Sequence, residues 1–162
     1  MIRQFIISIL LFIPVLIVQT TIVPLAEING IVPDLILILL VFYTLKNGQI
    51  YGTILGFVYG FLFDLITGSL LGSAMLSKTL SGFVTGYFYN ENKKVVYLKT
   101  YLFALVVLLA ASIDSFIFSF FSAIDFSSNI LIMIFEQGIF PGFYTAVISL
   151  VVIIFYPARR VE

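Results

Sequence analysis

Four ionisable side chains stand inside long apolar runs of this sequence: Asp64, Lys78, Asp114 and Glu136. A charge within a membrane span costs several kcal/mol when it is unpaired, so each of these residues needs a partner or a function. Paired carboxylates can share a proton and activate water, which is the chemistry of an aspartyl hydrolase. The four residues could therefore form an acid pair for catalysis, or they could form internal ion pairs.

The surrounding residue types argue against an enzyme. The chain has no histidine and no cysteine, which removes imidazole bases, thiol nucleophiles and the usual zinc, copper or haem ligands. Phe61, Leu62 and Phe63 precede Asp64, so the glycine-X-glycine-aspartate element of one aspartyl class is missing. The pattern around the two aspartates of lipoprotein signal peptidase is not present either. We therefore predict a protein that is not an enzyme, with no cofactor and no metal site.

Composition predicts the elements that position these residues. The 162-residue chain is 62% hydrophobic and 10% charged, with a mean hydropathy of +1.21, whereas soluble domains are about 25% charged. A net charge of zero and scattered basic residues give no sign of a nucleic-acid partner. We predict an all-α, polytopic membrane protein whose single transmembrane domain, residues 1–162, is one bundle of six helices embedded in membrane lipid.

Six apolar runs are assigned as spans because a bilayer core needs about 20 apolar residues per helix. They cover approximately residues 5–23, 30–46, 49–67, 71–89, 98–122 and 130–156. The second run has its apolar core at 34–45, too short to cross alone unless residues 28–33 contribute.

The distribution of lysine and arginine predicts the orientation, since basic residues in short loops stay on the cytoplasmic side. Six spans place seven basic residues on one side, namely Arg3, Lys46, Lys93, Lys94, Lys99, Arg159 and Arg160. The opposite loops contain Glu27 and Asp125 and no basic residue. Both termini are therefore predicted to be cytoplasmic. The same bias supports the short second span, because deleting it would put Arg3 opposite Lys46.

Spans three and four carry small residues at every fourth position, and each series includes a charge. The series are Gly52, Gly56, Gly60 and Asp64 on span three, and Lys78, Gly82 and Gly86 on span four. In an antiparallel hairpin that turns near Leu71, Asp64 would face Lys78, and Gly60 and Gly56 would face Gly82 and Gly86. Glycines at this spacing let helix backbones approach closely. We predict a tight hairpin closed by an ion pair, which serves either packing alone or a ligand or transport site.

The remaining charges leave an imbalance in the predicted bundle. Asp114 on span five and Glu136 on span six would lie at similar depth, which gives three carboxylates for one lysine. Such an excess either raises the pKa of a carboxyl group or invites a cation, such as an arginine or lysine of a partner protein. A carboxyl near the headgroups could also stay hydrated. In span six, Pro141 and Gly142 predict a kink, for packing or as a hinge.

Several of these features together resemble the rod-shape-determining MreD family over nearly the whole chain. The matching residues are Pro33, Asp34 and Leu35 at the start of span two, the glycine series with Asp64, Gly68 and Gly72 in the outer turn, Gly82 and Gly86, and Pro141 and Gly142 with Tyr144. Lys78 and Glu136 match no family pattern, so their roles come from physical reasoning alone.

The resemblance implies a non-catalytic subunit of the bacterial inner membrane that serves the cell-shape (elongation) machinery. Such a subunit would bind MreC, a single-span protein with a large periplasmic domain, and would help organise lateral peptidoglycan synthesis with actin-like MreB filaments and a peptidoglycan synthase. The alternative is the substrate-binding subunit of an energy-coupling-factor vitamin transporter. Those subunits usually carry alanine-X-X-X-alanine in span one, where this chain has no alanine between Phe5 and Val23.

Overall fold

The computed structural model describes residues 2–91, 101–122 and 138–155, and this part of the chain is helical without a β-strand. Six α-helices are present in it: α1 (Ile2–Thr21), α2 (Leu35–Asn47), α3 (Gln49–Thr67), α4 (Ser73–Gly86), α5 (Leu102–Ser122) and α6 (Phe140–Phe155). A 3-10 helix, Val23–Ala26, and an isolated bridge between Ile28 and Ile31 connect α1 to α2.

Helix α2 contacts each of the five other helices in the described part of the chain. Eight of its 13 residues are buried, including Ile36, Leu37 and Leu40. A helix that is apolar on all sides is expected where other helices surround it. The short second run of the sequence is thus the core around which the other described helices pack.

The start of α2 differs from the predicted second span. Residues 28–31 form a tight turn with Asn29 and Gly30 at positive φ, and the helix begins only at Leu35. Its 13 residues extend about 20 Å at 1.5 Å per residue, less than the apolar thickness of a bilayer. Non-helical backbone at membrane depth is tolerated where protein covers it, and residues 31–35 are at least partly buried.

Helix α1 presents one narrow face to the bundle. Ser8, Phe12 and Leu16 are buried at four-residue intervals, while Ile6, Leu10 and Ile13 are more than half exposed. Phe12 stacks on Tyr59 of α3 with ring centroids 4.6 Å apart. This pattern is typical of a helix that packs on one side and faces lipid on the other.

Helices α3 and α4 form a tight hairpin, but the predicted register is wrong. A Cβ atom at Gly60 would overlap the carbonyl group of Ala74, and one at Gly56 would overlap that of Lys78. The predicted partners, Gly82 and Gly86, lie eight residues further along α4. Gly82 instead meets the backbone of Gly52, and Gly86 meets Gln49.

Glycine is required at a second close contact, between α5 and α6. A Cβ at Gly142 would lie 2.9 Å from the backbone nitrogen of Ser112, closer than real Cβ atoms approach. Pro141 lies in the first turn of α6, and Gly138 and Ile139 directly before this helix have π-helical geometry. The helix is therefore irregular directly before Pro141, and residues 130–137, with which the predicted span begins, lie outside the described residues.

Three described helices are long and apolar enough to cross a membrane: Arg3–Thr21, Gln49–Thr67 and Leu102–Phe121. The helical segments Leu35–Asn47 and Phe140–Val151 are apolar but shorter. Residues 92–100, 123–137 and 156–162 lie outside the described part of the chain, and with them the predicted boundaries near residues 98, 130 and 156. The protein is thus an all-helical membrane protein in the parts that the structure describes.

Candidate functional site

Lys78 lies between two carboxylates inside the bundle. Its Nζ donates one hydrogen bond to Oδ2 of Asp34 and another, 3.0 Å long, to Oδ2 of Asp114. The side chains of Lys78 and Asp114 are 3% and 7% exposed, and that of Asp34 is 24% exposed. We call Asp34, Lys78 and Asp114 the charged cluster; it joins α4 to α5 and to the start of α2.

The predicted ion pair between Asp64 and Lys78 is wrong, because each residue has other partners. The Asp64 carboxylate accepts hydrogen bonds from the backbone N–H groups of Gly72, Ala74 and Met75, at 2.9 to 3.2 Å. It also accepts one from the Ser69 hydroxyl at 2.6 Å. Asp64 is therefore the N-terminal cap of α4, supplied from the preceding helix, and the unpaired N–H groups of a helix start stabilise its negative charge.

Asp34 is held in position by the backbone that surrounds it. Its Oδ1 accepts a hydrogen bond from the N–H of Leu37 at 2.8 Å, so it caps α2 while its Oδ2 binds Lys78. Its own N–H donates to the hydroxyl of Thr145 on α6 at 3.0 Å. The cap thus fixes one carboxylate of the charged cluster relative to α2 and α6.

Gln19 and Thr145 are polar contacts of this site that sequence reasoning missed. The Gln19 amide donates to the carbonyl of Pro33 at 2.9 Å and accepts from the N–H of Leu35 at 2.8 Å. These bonds satisfy the carbonyl of Pro33 and the N–H of Leu35, which are the backbone groups at the start of α2. The signal in the sequence is a glutamine near the end of an apolar run.

A cavity of about 270 Å³ adjoins the charged cluster. Asp34, Lys78 and Asp114 line it, Ser115 and Ser119 of α5 add hydroxyl groups, and Phe63, Phe118 and Pro141 supply apolar surface. The Phe63 ring centroid lies 5.7 Å from Nζ of Lys78, within the range of a cation–π contact. The site thus combines charge with an aromatic wall.

The charges of the cluster do not balance. Two carboxylates face one ammonium, and Oδ1 of Asp114 is buried without a hydrogen-bond donor in the described ranges. The Ser77 hydroxyl lies near this carboxylate, but its hydrogen bond goes to the carbonyl of Ala74 at 3.2 Å. Glu136, which was predicted to lie at the depth of Asp114, is outside the described residues. Asp64 does not belong to the cluster.

The described geometry shows ion pairing between side chains of this chain. Asp114 and Asp34 are bridged by a lysine, so neither is free to share a proton with the other as an acid pair requires. In the described part of the chain no group of three or more acidic residues is placed to hold a metal ion.

Comparison with known families decides what kind of protein carries this site. The family model for rod shape-determining protein MreD matches residues 1–159, nearly the whole chain. The chain belongs to the MreD family. Searches of curated proteins and of solved structures found no significant match.

MreD membership gives the chain a role in rod-shape determination and agrees with its membrane-competent helices. The residues that first suggested MreD have defined positions in the fold. The carbonyl of Pro33 and the carboxylate of Asp34 accept hydrogen bonds at the start of α2. Gly142 lies at the close contact between α5 and α6. Tyr144 donates a hydrogen bond to the carbonyl of Ala26 at 2.8 Å, which ties α6 to the 3-10 helix.

Proposed function

We propose that this protein is a non-catalytic subunit of the bacterial cell-shape machinery, located in the inner membrane, that binds MreC and helps organise lateral peptidoglycan synthesis. MreB filaments and a peptidoglycan synthase are the further partners of this assembly. The observation that carries the proposal is the family match over residues 1–159.

The chemistry of the described residues supports a role through partners. The chain lacks histidine and cysteine, and the buried charges that the structure describes are engaged in helix capping and in an ion-paired cluster. Polar groups buried between membrane helices commonly serve assembly. We therefore propose that the charged cluster sets the arrangement of α2, α4 and α5 on which a partner docks.

Six spans with both termini in the cytoplasm complete the proposal. The support is the distribution of basic residues, with seven on one predicted side and none on the other. In an up-and-down bundle, this orientation places the charged cluster in the outer half of the membrane, because Asp34 follows the loop after α1 and Lys78 follows the loop after α3.

Depletion in the native bacterium tests the function directly. Loss of the protein should turn rod-shaped cells into rounded ones, and a tagged copy should bring down MreC. A strain that keeps its shape, or a pull-down that yields a pair of ATPase subunits and a coupling membrane protein, would favour the vitamin-transporter reading instead.

Variants of the cluster separate a partner role from catalysis. Asp114→Asn should reduce complex formation and cell-shape rescue in the same proportion, while Glu27→Gln, which removes an exposed carboxylate, should change neither. We expect Glu136→Gln to behave like Asp114→Asn. An intact complex that has lost a measurable chemical turnover would contradict the non-catalytic proposal.

A further inference from the structure

We propose that the cavity beside Asp114 binds a cationic group, an ammonium or guanidinium carried on a short apolar chain. This inference goes beyond the role in cell shape and does not require that a particular partner be correct. It follows from the charge balance, the buried carboxylate oxygen and the two kinds of surface that line the cavity.

Charge balance selects a cation. With its ionisable groups charged, the cluster has two negative groups and one positive group, and Lys78 is already bonded to both carboxylates. An anion entering the cavity would meet a net negative charge and an ammonium that already donates two of its three N–H groups to carboxylates. A second cation would compensate the excess charge, since opposite charges attract more strongly where water is excluded.

The carboxylate of Asp114, which lines the cavity, gives that cation a defined place. Oδ1 of Asp114 has no hydrogen-bond donor in the described part of the chain, although the side chain is only 7% exposed. Rotation of the Ser77 hydroxyl toward the carboxylate would add a donor but no charge. An N–H group of an ammonium or guanidinium supplies both the donor and the charge in one contact.

The walls of the cavity define the rest of the ligand. Its volume of about 270 Å³ exceeds that of a single ion, and Phe63, Phe118 and Pro141 add apolar surface to its lining. The 5.7 Å distance between Nζ of Lys78 and the Phe63 ring centre indicates that this aromatic surface already accommodates a positive charge. A short alkyl chain ending in an amine satisfies both kinds of surface.

Binding of butylammonium to the purified full-length protein in nanodiscs tests the inference. Butanol and butyrate are matched neutral and anionic probes. Butylammonium should raise the melting temperature by roughly 3 to 6 °C at ten times its Kd, and further with the logarithm of its concentration, while the other two should have no specific effect. Equal shifts with butylammonium and butanol, or no shift with butylammonium, would overturn the proposal.

Two variants locate the effect at Asp114. Asp114→Asn should abolish the response to butylammonium, whereas Glu27→Gln, which also removes one carboxylate, should keep it. If Asp114→Asn does not fold, Ser119→Phe provides the second test, because it narrows the cavity without changing the carboxylates. A full response in either cavity variant would place amine binding elsewhere and refute the site.

The same preparation distinguishes two sources of the cation. A free amine should appear as a bound mass in native mass spectrometry of the wild-type protein, and the mass should be lost in Asp114→Asn. A basic side chain of another protein should instead give no such mass, and Asp114→Asn should lower the amount of that protein which co-purifies from native membranes. Either result identifies the cation, provided that butylammonium binds as described.

Discussion

Nζ of Lys78 lies 3.0 Å from Oδ2 of Asp114, and both side chains are almost completely buried, so an ion pair joins α4 to α5 inside the bundle. A buried pair of this kind adds little net stability compared with apolar residues, but breaking it by removing one partner is costly. Its more important effect is positional, because the two hydrogen bonds of Lys78 fix α2, α4 and α5 relative to each other.

Removal of Lys78 should harm the protein more than removal of Asp114. Lys78→Met leaves two carboxylates facing each other without a cation, and we expect a loss of roughly 3 to 5 kcal/mol in unfolding free energy. Asp114→Asn should cost less, since Lys78 retains Asp34. The double variant should recover part of the Lys78→Met loss. Melting temperatures of the purified variants measure these differences, and a purely additive double variant would contradict the pairing.

Asp64 should behave independently of Lys78. Asp64→Ala removes the acceptor for three backbone N–H groups at the start of α4, with an expected cost of about 2 kcal/mol or more. Ser69→Ala is the control, because it deletes one donor and leaves the backbone bonds intact. Combined with Lys78→Met, the effect of Asp64→Ala on melting temperature should add. If one substitution instead reduced the loss caused by the other, Asp64 and Lys78 would form an ion pair, contrary to the structure.

The all-helical class and the approximate positions of the helices follow from hydropathy, because apolar runs of membrane length have few alternative structures. Predicted span 49–67 and helix Gln49–Thr67 have the same bounds, since Gly48 and Gly68, both at positive φ, end the regular structure on either side. The beginning of α2 was less predictable. Its first residues are set by Gln19 and Thr145, which are distant in sequence.

The error in the hairpin register has an identifiable cause. Asp64 and Lys78 stand at matching intervals in the two glycine series, which suggests an ion pair. Spacing alone cannot show whether a carboxylate pairs with a lysine or with the free N–H groups at the start of a helix. Ser69, Gly72 and Ser73 after Asp64 were the available signal of a capping loop, because short polar residues and glycine favour such turns. The pairing of Lys78 with Asp34 and Asp114 depends on how α2 and α5 pack, which local spacing does not reveal.

Gln19 should contribute more than its position in an apolar helix suggests. Gln19→Ala leaves the carbonyl of Pro33 and the N–H of Leu35 without their partner, and each unsatisfied buried group costs about 1 to 3 kcal/mol. Thr20→Ala is a matched control, because its hydroxyl bonds only within α1, to Leu16 and Ile17. Thermal unfolding should show a clear loss for Gln19→Ala and a small one for Thr20→Ala. Equal losses would argue against a stabilising role for the hydrogen bonds of Gln19 to Pro33 and Leu35.

Topology reporters test the proposed orientation. Fusions after Gln49 and after Asn92 should both score cytoplasmic, because each lies near the basic residues of a predicted inner loop. A fusion after Ser69, in the loop between α3 and α4, should score periplasmic. A periplasmic score after Gln49 or Asn92 would contradict the six-span arrangement.

The glycines of the hairpin give the most local test of helix contact. At Gly60 an added Cβ would overlap the backbone of Ala74 and Met75, which cannot move without separating the two helices. Gly60→Ala should therefore cost roughly 1 to 3 kcal/mol, and Gly60→Leu should cost more. Gly138→Ala is the control, since its Cβ would meet Phe116 at 3.5 Å, an ordinary contact distance. Folded yield and melting temperature measure both changes. A Gly60→Ala variant as stable as Gly138→Ala would mean that α3 and α4 do not approach each other at this position.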